Sequence, residues 1–299
     1  MKIIKPKFWR NLNIISLLLY PLSLITFFVN QIKKQSFKKE YSIKTICVGN
    51  LSVGGTGKTS LVIEMQKQLS KKNRKITIIK KKYSNQYDEI SLIKKKGKLL
   101  VHKERKVALS IAQKKGFDLA IMDDGLQQKN IKYDLKIACF NSQEGFGNGL
   151  LLPAGPLREN LDELKNYDLA FINGEKKNIQ LTKKLKSINK NLKIFEGKYQ
   201  PINLKKLKNK KNYLMFCGIG NPQEFENTLE KYNFRIKKKI FFPDHYKISK
   251  KELIKIKKLA KANKLNIITT EKDYFRLENY ERNSINYLQV NLKIKKINQ

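Results

Sequence analysis

Only three of the 299 residues are cysteine and two are histidine, and 25 acidic residues face 64 lysines and arginines. Cys47, Cys139 and Cys217 each sit in an apolar, strand-like run without metal-ligand spacing. That excludes a cysteine-based zinc centre and predicts free, buried thiols in a reducing compartment. Any imidazole chemistry must come from His102 or His245. No small-residue cleavage site follows the apolar amino-terminal run, so a removable signal peptide is not expected. The shortage of acid leaves a net charge of +39. Such a field suits an anionic membrane surface or a phosphorylated substrate. It would also suit nucleic acid through counterion release. The lysines, however, are scattered among many Asn and Ile, so biased composition accounts for them equally well. Nucleic acid is not expected as a partner, and no obligate protein partner is evident.

What the chain does have is C-V-G-N-L-S-V-G-G-T-G-K-T from Cys47 to Thr59, an apolar strand feeding a glycine-rich loop. Ser52, Val53, Gly54, Gly55, Thr56, Gly57, Lys58 and Thr59 are the candidate nucleotide-binding residues. The glycines let successive backbone N–H groups turn toward one anion. Lys58 adds a point charge for the outer phosphates, and the Thr59 hydroxyl is a ligand for Mg2+. Ile43 to Val48 reads as a buried strand, and Ser60 to Ser70 as a helix with Leu61, Val62, Met65 and Leu69 on one face. Phosphate would then meet a helix N-terminus. One position departs from the strict pattern: Ser52 stands where the first glycine belongs.

Ile14 to Val29 is an uncharged apolar run with lysines on both sides and Pro21 inside it. Sixteen residues give about 24 Å of helix, short of a ~30 Å hydrocarbon core. The flanking charge predicts a segment that dips into one leaflet and returns to the cytoplasmic face, with Phe8, Trp9 and Tyr20 at headgroup level. Beyond it, strands and helices alternate, which predicts a mostly parallel α/β sheet with helices on both faces. A lysine-rich break near 205 separates a second, smaller set. Its helix over Leu253 to Ala260 is preceded by a capping box, Ser249 with Glu252. The expected organisation is a membrane-associating helix over 1–40, a P-loop NTPase-like core over 41–205 and a smaller α/β domain over 206–299.

Asp123 and Asp124 end an apolar strand. Carboxylates at the carboxyl end of a parallel strand can hold magnesium opposite the loop. Asp88-Glu89 and Asp244-His245 are less legible; a carboxylate oriented by an imidazole can accept a hydroxyl proton. Leu150 to Glu159, L-L-L-P-A-G-P-L-R-E, is a stiff irregular loop that suits a binding site. Its Arg158 suits either charge stabilisation on a transferring phosphoryl group or a plain surface ion pair.

With these residues in view, the chain resembles the tetraacyldisaccharide 4′-kinases of lipid A synthesis. The resemblance rests on V-G-N-L-S-V-G-G-T-G-K-T, D-D-G-L-Q, L-L-P-A-G-P-L-R-E, G-I-G-N-P, F-P-D-H-Y and T-E-K-D, in that order between Cys47 and Asp273. It implies a membrane-associated P-loop kinase that moves the γ-phosphate of ATP, with magnesium, to the 4′-hydroxyl of a lipid disaccharide 1-phosphate. By matching position it implies that Lys58 and the loop glycines bind phosphates. It places Thr59, Asp123, Asp124 and Glu159 around the metal, and lines the site with Arg158. It pairs Asp88 with His245 to activate the acceptor hydroxyl. It further implies work at the cytoplasmic face of a bacterial inner membrane. Where the family usually has Ser-Arg-Gly-Tyr, this chain has Lys80-Lys81-Lys82-Tyr83, and Tyr87 replaces a glycine ahead of the acidic pair. A partitioning-type membrane ATPase uses a similar loop, but its signature lysine position is Val53 here. The Thr270-Glu271-Lys272-Asp273 run misses the guanine-recognition pattern by one place.

Overall fold

Runs such as Ile46 to Val48 and Leu119 to Met122 are apolar on both sides of the pleat, so they stay dry only inside a sheet covered on both faces. The computed structural model describes residues 6–34, 37–71, 73–83, 87–207, 211–244, 246–277 and 281–295. Its elements run α1 (Ile14–Lys34), β1 (Lys44–Gly49), α2 (Lys58–Ser70), β2 (Ile76–Lys81), α3 (Tyr87–Lys96), β3 (Leu99–His102), α4 (Arg105–Lys114), β4 (Leu119–Asp123), β5 (Leu135–Asn141), β6 (Leu169–Asn173), α5 (Ile179–Ile188) and β7 (Lys193–Pro201). They continue with β8 (Asn212–Cys217), α6 (Pro222–Lys231), β9 (Arg235–Phe241), α7 (Lys250–Ala262), β10 (Asn266–Thr270), α8 (Glu271–Arg276), β11 (Ile285–Leu288) and β12 (Val290–Ile294).

Two units result, and the division departs from a single cut near 205. Among the described residues, the larger comprises 6–82, 96–199 and 292–295; the smaller takes 83–95 and 200–291. The larger unit holds an eight-stranded sheet in the order β12-β7-β6-β5-β1-β4-β2-β3. Neighbours from β7 to β3 pair in parallel. The chain leaves β1 toward β2 and leaves β4 toward β5 on the opposite side. The carboxyl ends of β1 and β4 therefore flank a switch point, where such sheets bind ligands. Cys47, Leu51, Met122, Ala138 and Phe140 anchor the core beneath it.

The smaller unit is a four-stranded parallel sheet, β11-β10-β8-β9. Asn221 caps α6 with Pro222 at its first turn. Ser249 and Glu252 form the reciprocal capping box that starts α7. All three cysteines are free and buried; burial pushes the Cys47 thiol up to about 12.

The amino-terminal helix is longer than its uncharged run suggests. At 21 residues, α1 is about 32 Å long. Asn13 caps it, its side-chain oxygen accepting from the Ser16 N–H at 3.0 Å. Ser16 and Ser23 are buried, whereas Leu17, Leu18, Ile25, Phe28 and Ile32 are each more than 60% exposed. The helix thus turns its polar stripe inward and its apolar faces outward, the reverse of a soluble surface helix. Trp9 is buried rather than placed at a headgroup level, and its indole N–H donates to the Pro153 carbonyl at 2.9 Å.

Candidate active site

The turn after β1 is braced from inside. The Asn50 amide donates to the carbonyls of Ser52 and Gly54, and Gln127 donates to the Asn50 carbonyl at 2.9 Å. Gly54 and Gly57 have φ of 124° and 87°, the left-handed region that side chains avoid. A Cβ on Gly57 would also stand 3.0 Å from the Asn173 amide nitrogen and 3.2 Å from the Tyr199 hydroxyl. Lys58 opens α2, whose first turn carries neither an acidic residue nor a side-chain cap. The positive end of that helix suits an anion.

The Pro-Gly loop is laced to this turn. Val53 N–H donates to Pro156 at 2.8 Å, Arg158 N–H donates to Leu51 at 2.6 Å, and Ser52 bridges Leu157 antiparallel. Its other side receives α1. The Ser23 hydroxyl donates to Leu151, the Thr26 hydroxyl to Leu152, and the Asn30 amide to the Arg158 carbonyl, at 2.8, 2.8 and 2.7 Å. Arg158 therefore sits in a segment held from two directions.

Asp123 and Asp124 close the site from β4, and their environments differ. Asp123 is fully buried. Its Oδ2 accepts from Lys80 Nζ at 2.7 Å and lies 3.4 Å from the Thr59 hydroxyl, while Oδ1 is buried without a hydrogen-bond partner. Asp124, at φ 57°, swings its carboxylate to Lys58 at 3.5 Å and Arg158 at 3.2 Å. Burial would raise its pKa, but Lys58, Arg158, Lys80 and Arg105 outweigh burial and hold it at about 2. Arg105, at the start of α4, fixes the turn by donating to the Asp123 and Asp124 carbonyls at 3.1 and 2.6 Å.

Among the described residues no three or more His, Cys, Asp or Glu side chains converge as metal ligands. The Thr59 hydroxyl and the unpartnered Asp123 oxygen instead suit a hard cation that takes its remaining ligands from water and phosphate, as magnesium does. Glu159 is engaged elsewhere. It is buried, and its carboxylate meets Lys129 at 2.5 Å, the Tyr167 hydroxyl at 2.9 Å and the Gln127 amide at 3.3 Å. Lys129 in turn reaches Glu163, which Lys34 of α1 also holds.

Asp88 lies on α3, in the smaller unit, but its side chain and all of His245 fall outside the described residues. Its neighbour Glu89 pairs with Lys272 at 3.0 Å in the same unit. Sequence reasoning missed Lys80, Arg105 and Asn50. A buried lysine or arginine carries no local mark in a chain with 64 lysines and arginines. Asn50 was visible only as a residue beside the glycines.

A glycine-rich anion cradle at the switch point, with a lysine, a hydroxyl and a strand-ending carboxylate around it, defines a P-loop nucleotide-binding α/β protein. The family model for tetraacyldisaccharide-1-P 4′-kinase matches residues 15–299, and the chain belongs to that family. It is 46% identical over 297 residues to the tetraacyldisaccharide 4′-kinase of Pelagibacter ubique, covering 98% of this chain and 95% of that one. It is 36% identical over 315 residues to the enzyme of that name from Rickettsia typhi, covering 98% and 95%. LpxK from Aquifex aeolicus, crystallised in complex with ATP, shares the fold with a TM-score of 0.69 at 21% identity, over 95% of this chain and 96% of that one.

Proposed function

We propose that this chain transfers the γ-phosphate of ATP to the 4′-hydroxyl of a tetraacyldisaccharide 1-phosphate at the surface of the inner membrane. The observation that carries this reading is the cradle itself: left-handed Gly54 and Gly57, Lys58 opening α2, and Asp123, whose Oδ1 is left without a partner while its Oδ2 lies 3.4 Å from the Thr59 hydroxyl. Loop N–H groups and Lys58 bind the triphosphate and hold its terminal group for in-line attack. The Thr59 hydroxyl and the Asp123 carboxylate would hold magnesium, which would supply neutralisation of the phosphate charge. When nucleotide arrives, Lys58 and Arg158 exchange their ion pairs with Asp124 for phosphate oxygens. Arg158 then faces the charge that builds on the moving phosphoryl group. Glu159 holds Lys129 and Gln127, and through Gln127 steadies Arg158, whose guanidinium lies 3.4 Å from the Gln127 carbonyl oxygen. Asp88, aided by His245, takes the proton of the attacking hydroxyl.

The exposed apolar faces of α1, with lysines at both ends, fit a helix lying in the headgroup boundary of the cytoplasmic leaflet. Its inward polar stripe keeps it fastened to the Arg158 loop, so a lipid-borne sugar is met without leaving the bilayer. A micelle assay with labelled ATP and the lipid disaccharide monophosphate tests the reaction. Label enters the lipid phase with wild type and is lost with Lys58→Ala; no label with wild type rules out this acceptor. Asp88→Ala lowers kcat roughly a hundredfold or more, and an unchanged rate removes it as the base.

A further inference from the structure

Lys80 is a lysine where an apolar residue would be expected. It lies on β2 directly across the parallel register from Asp123 on β4. Its side chain is 2% exposed, and its ammonium sits 2.7 Å from Asp123 Oδ2. A charge buried this deeply persists only when paired. The oxygen it holds is the one nearest the Thr59 hydroxyl, so the ammonium shares the carboxylate with any metal bound between Thr59 and Asp123. The wider balance points the same way. Two carboxylates, Asp123 and Asp124, are set among four cations, Lys58, Lys80, Arg105 and Arg158. A bare dication entering this cluster meets net positive charge, whereas a dication carried by a triphosphate meets charge of the sign it needs.

We propose that Lys80 is a resident cation of the metal carboxylate: by holding Asp123 Oδ2 and setting a positive charge close to the open Oδ1, it makes divalent-metal binding depend on nucleotide. The inference rests on the reading of Asp123 as the magnesium carboxylate. Lys80 is a positioning residue, acting through Asp123 and not on the phosphoryl group. Removing its charge both frees a carboxylate oxygen and lowers the local positive field, so a lone dication gains affinity. Nucleotide-borne metal gains less, because the triphosphate already supplies its counter-charge. The two ligands are thus coupled through one side chain, and the coupling factor is measurable.

The test is a titration of the full chain in detergent with Mn2+ as probe, followed by electron paramagnetic resonance, with and without ADP. In wild type Mn2+ binds weakly alone and far more tightly with ADP. In Lys80→Met its affinity without nucleotide rises by at least about tenfold, and the ratio between the two conditions shrinks correspondingly. Lys80→Arg keeps the charge and stays close to wild type. The thermal melt gives a second readout: Lys80→Met melts lower without metal and recovers as magnesium alone is added, while wild type does not respond. Equal ratios in wild type and Lys80→Met overturn the inference while leaving the metal reading standing, provided Asp123→Asn abolishes Mn2+ binding with ADP. Retained binding in Asp123→Asn overturns both. Should Lys80→Met fail to fold, wild type decides: Mn2+ bound as tightly without ADP as with it overturns the proposal.

Discussion

Two buried aspartates lie close to the carboxyl ends of parallel strands, Asp123 as the last residue of β4 and Asp273 in the first turn of α8 just after β10, and they do opposite work. In the smaller unit Asp273 is fully buried with every oxygen engaged. Oδ2 accepts from the Gly218 N–H at 3.1 Å and the Thr270 hydroxyl at 2.6 Å, while Oδ1 accepts from Arg276 at 2.5 Å. Arg276 closes the ring by donating to the Gly218 carbonyl. In the larger unit Asp123 is equally buried, yet one oxygen is left without a partner among surplus cations. A satisfied carboxylate clamps strand ends together. An unsatisfied one, in a field that favours more negative charge, fits the proposed role of a ligand for the nucleotide-borne metal.

Substitutions separate the two roles, the clamp giving the largest effect. Asp273→Ala leaves a buried arginine without its ion pair and costs about 3–5 kcal/mol in urea unfolding, while the activity of the folded fraction survives. A stable Asp273→Ala protein would break the contrast. Thr59→Val does the reverse: its weak 3.4 Å contact makes little stability, but loss of the proposed metal-binding hydroxyl lowers kcat roughly a hundredfold. Next comes acid. Asp124 has its carboxyl held at about 2 against an ordinary 3.8, so its folded-state pKa is depressed. Its contribution, about 2 kcal/mol, is present above the unfolded value and is lost as pH falls from about 4 through 2. Unfolding curves of wild type and Asp124→Asn therefore converge across that window. The smallest effect belongs to α1. Asn30→Ala removes one hydrogen bond to the Arg158 carbonyl and costs about 1 kcal/mol. A fall in kcat alongside it, read in micelles, places α1 on the catalytic side of the comparison.

The same contrast explains what was legible beforehand. The phosphate loop, its strand and its helix are encoded within a few neighbouring residues, so glycine spacing and apolar periodicity suffice to find them. Short strands such as β3, lodged between lysines and only partly buried along its length, give no such signal. The roles of Lys80 and Arg105 depend on strands distant in sequence. Glu159 was grouped with the metal residues, and the fold engages its carboxylate with Lys129 and Tyr167.

By itself the sequence settled that a strand would run through a glycine turn into a helix, because those choices are local backbone physics. It also settled that alternating apolar runs would make a parallel sheet. Tertiary structure alone decided which of so many lysines would be buried, which way the polar stripe of α1 would face, and which carboxylate would be left with an open oxygen. Those outcomes depend on what lies across a sheet or against a helix, and charge acquires meaning only from neighbours that the chain brings near by folding.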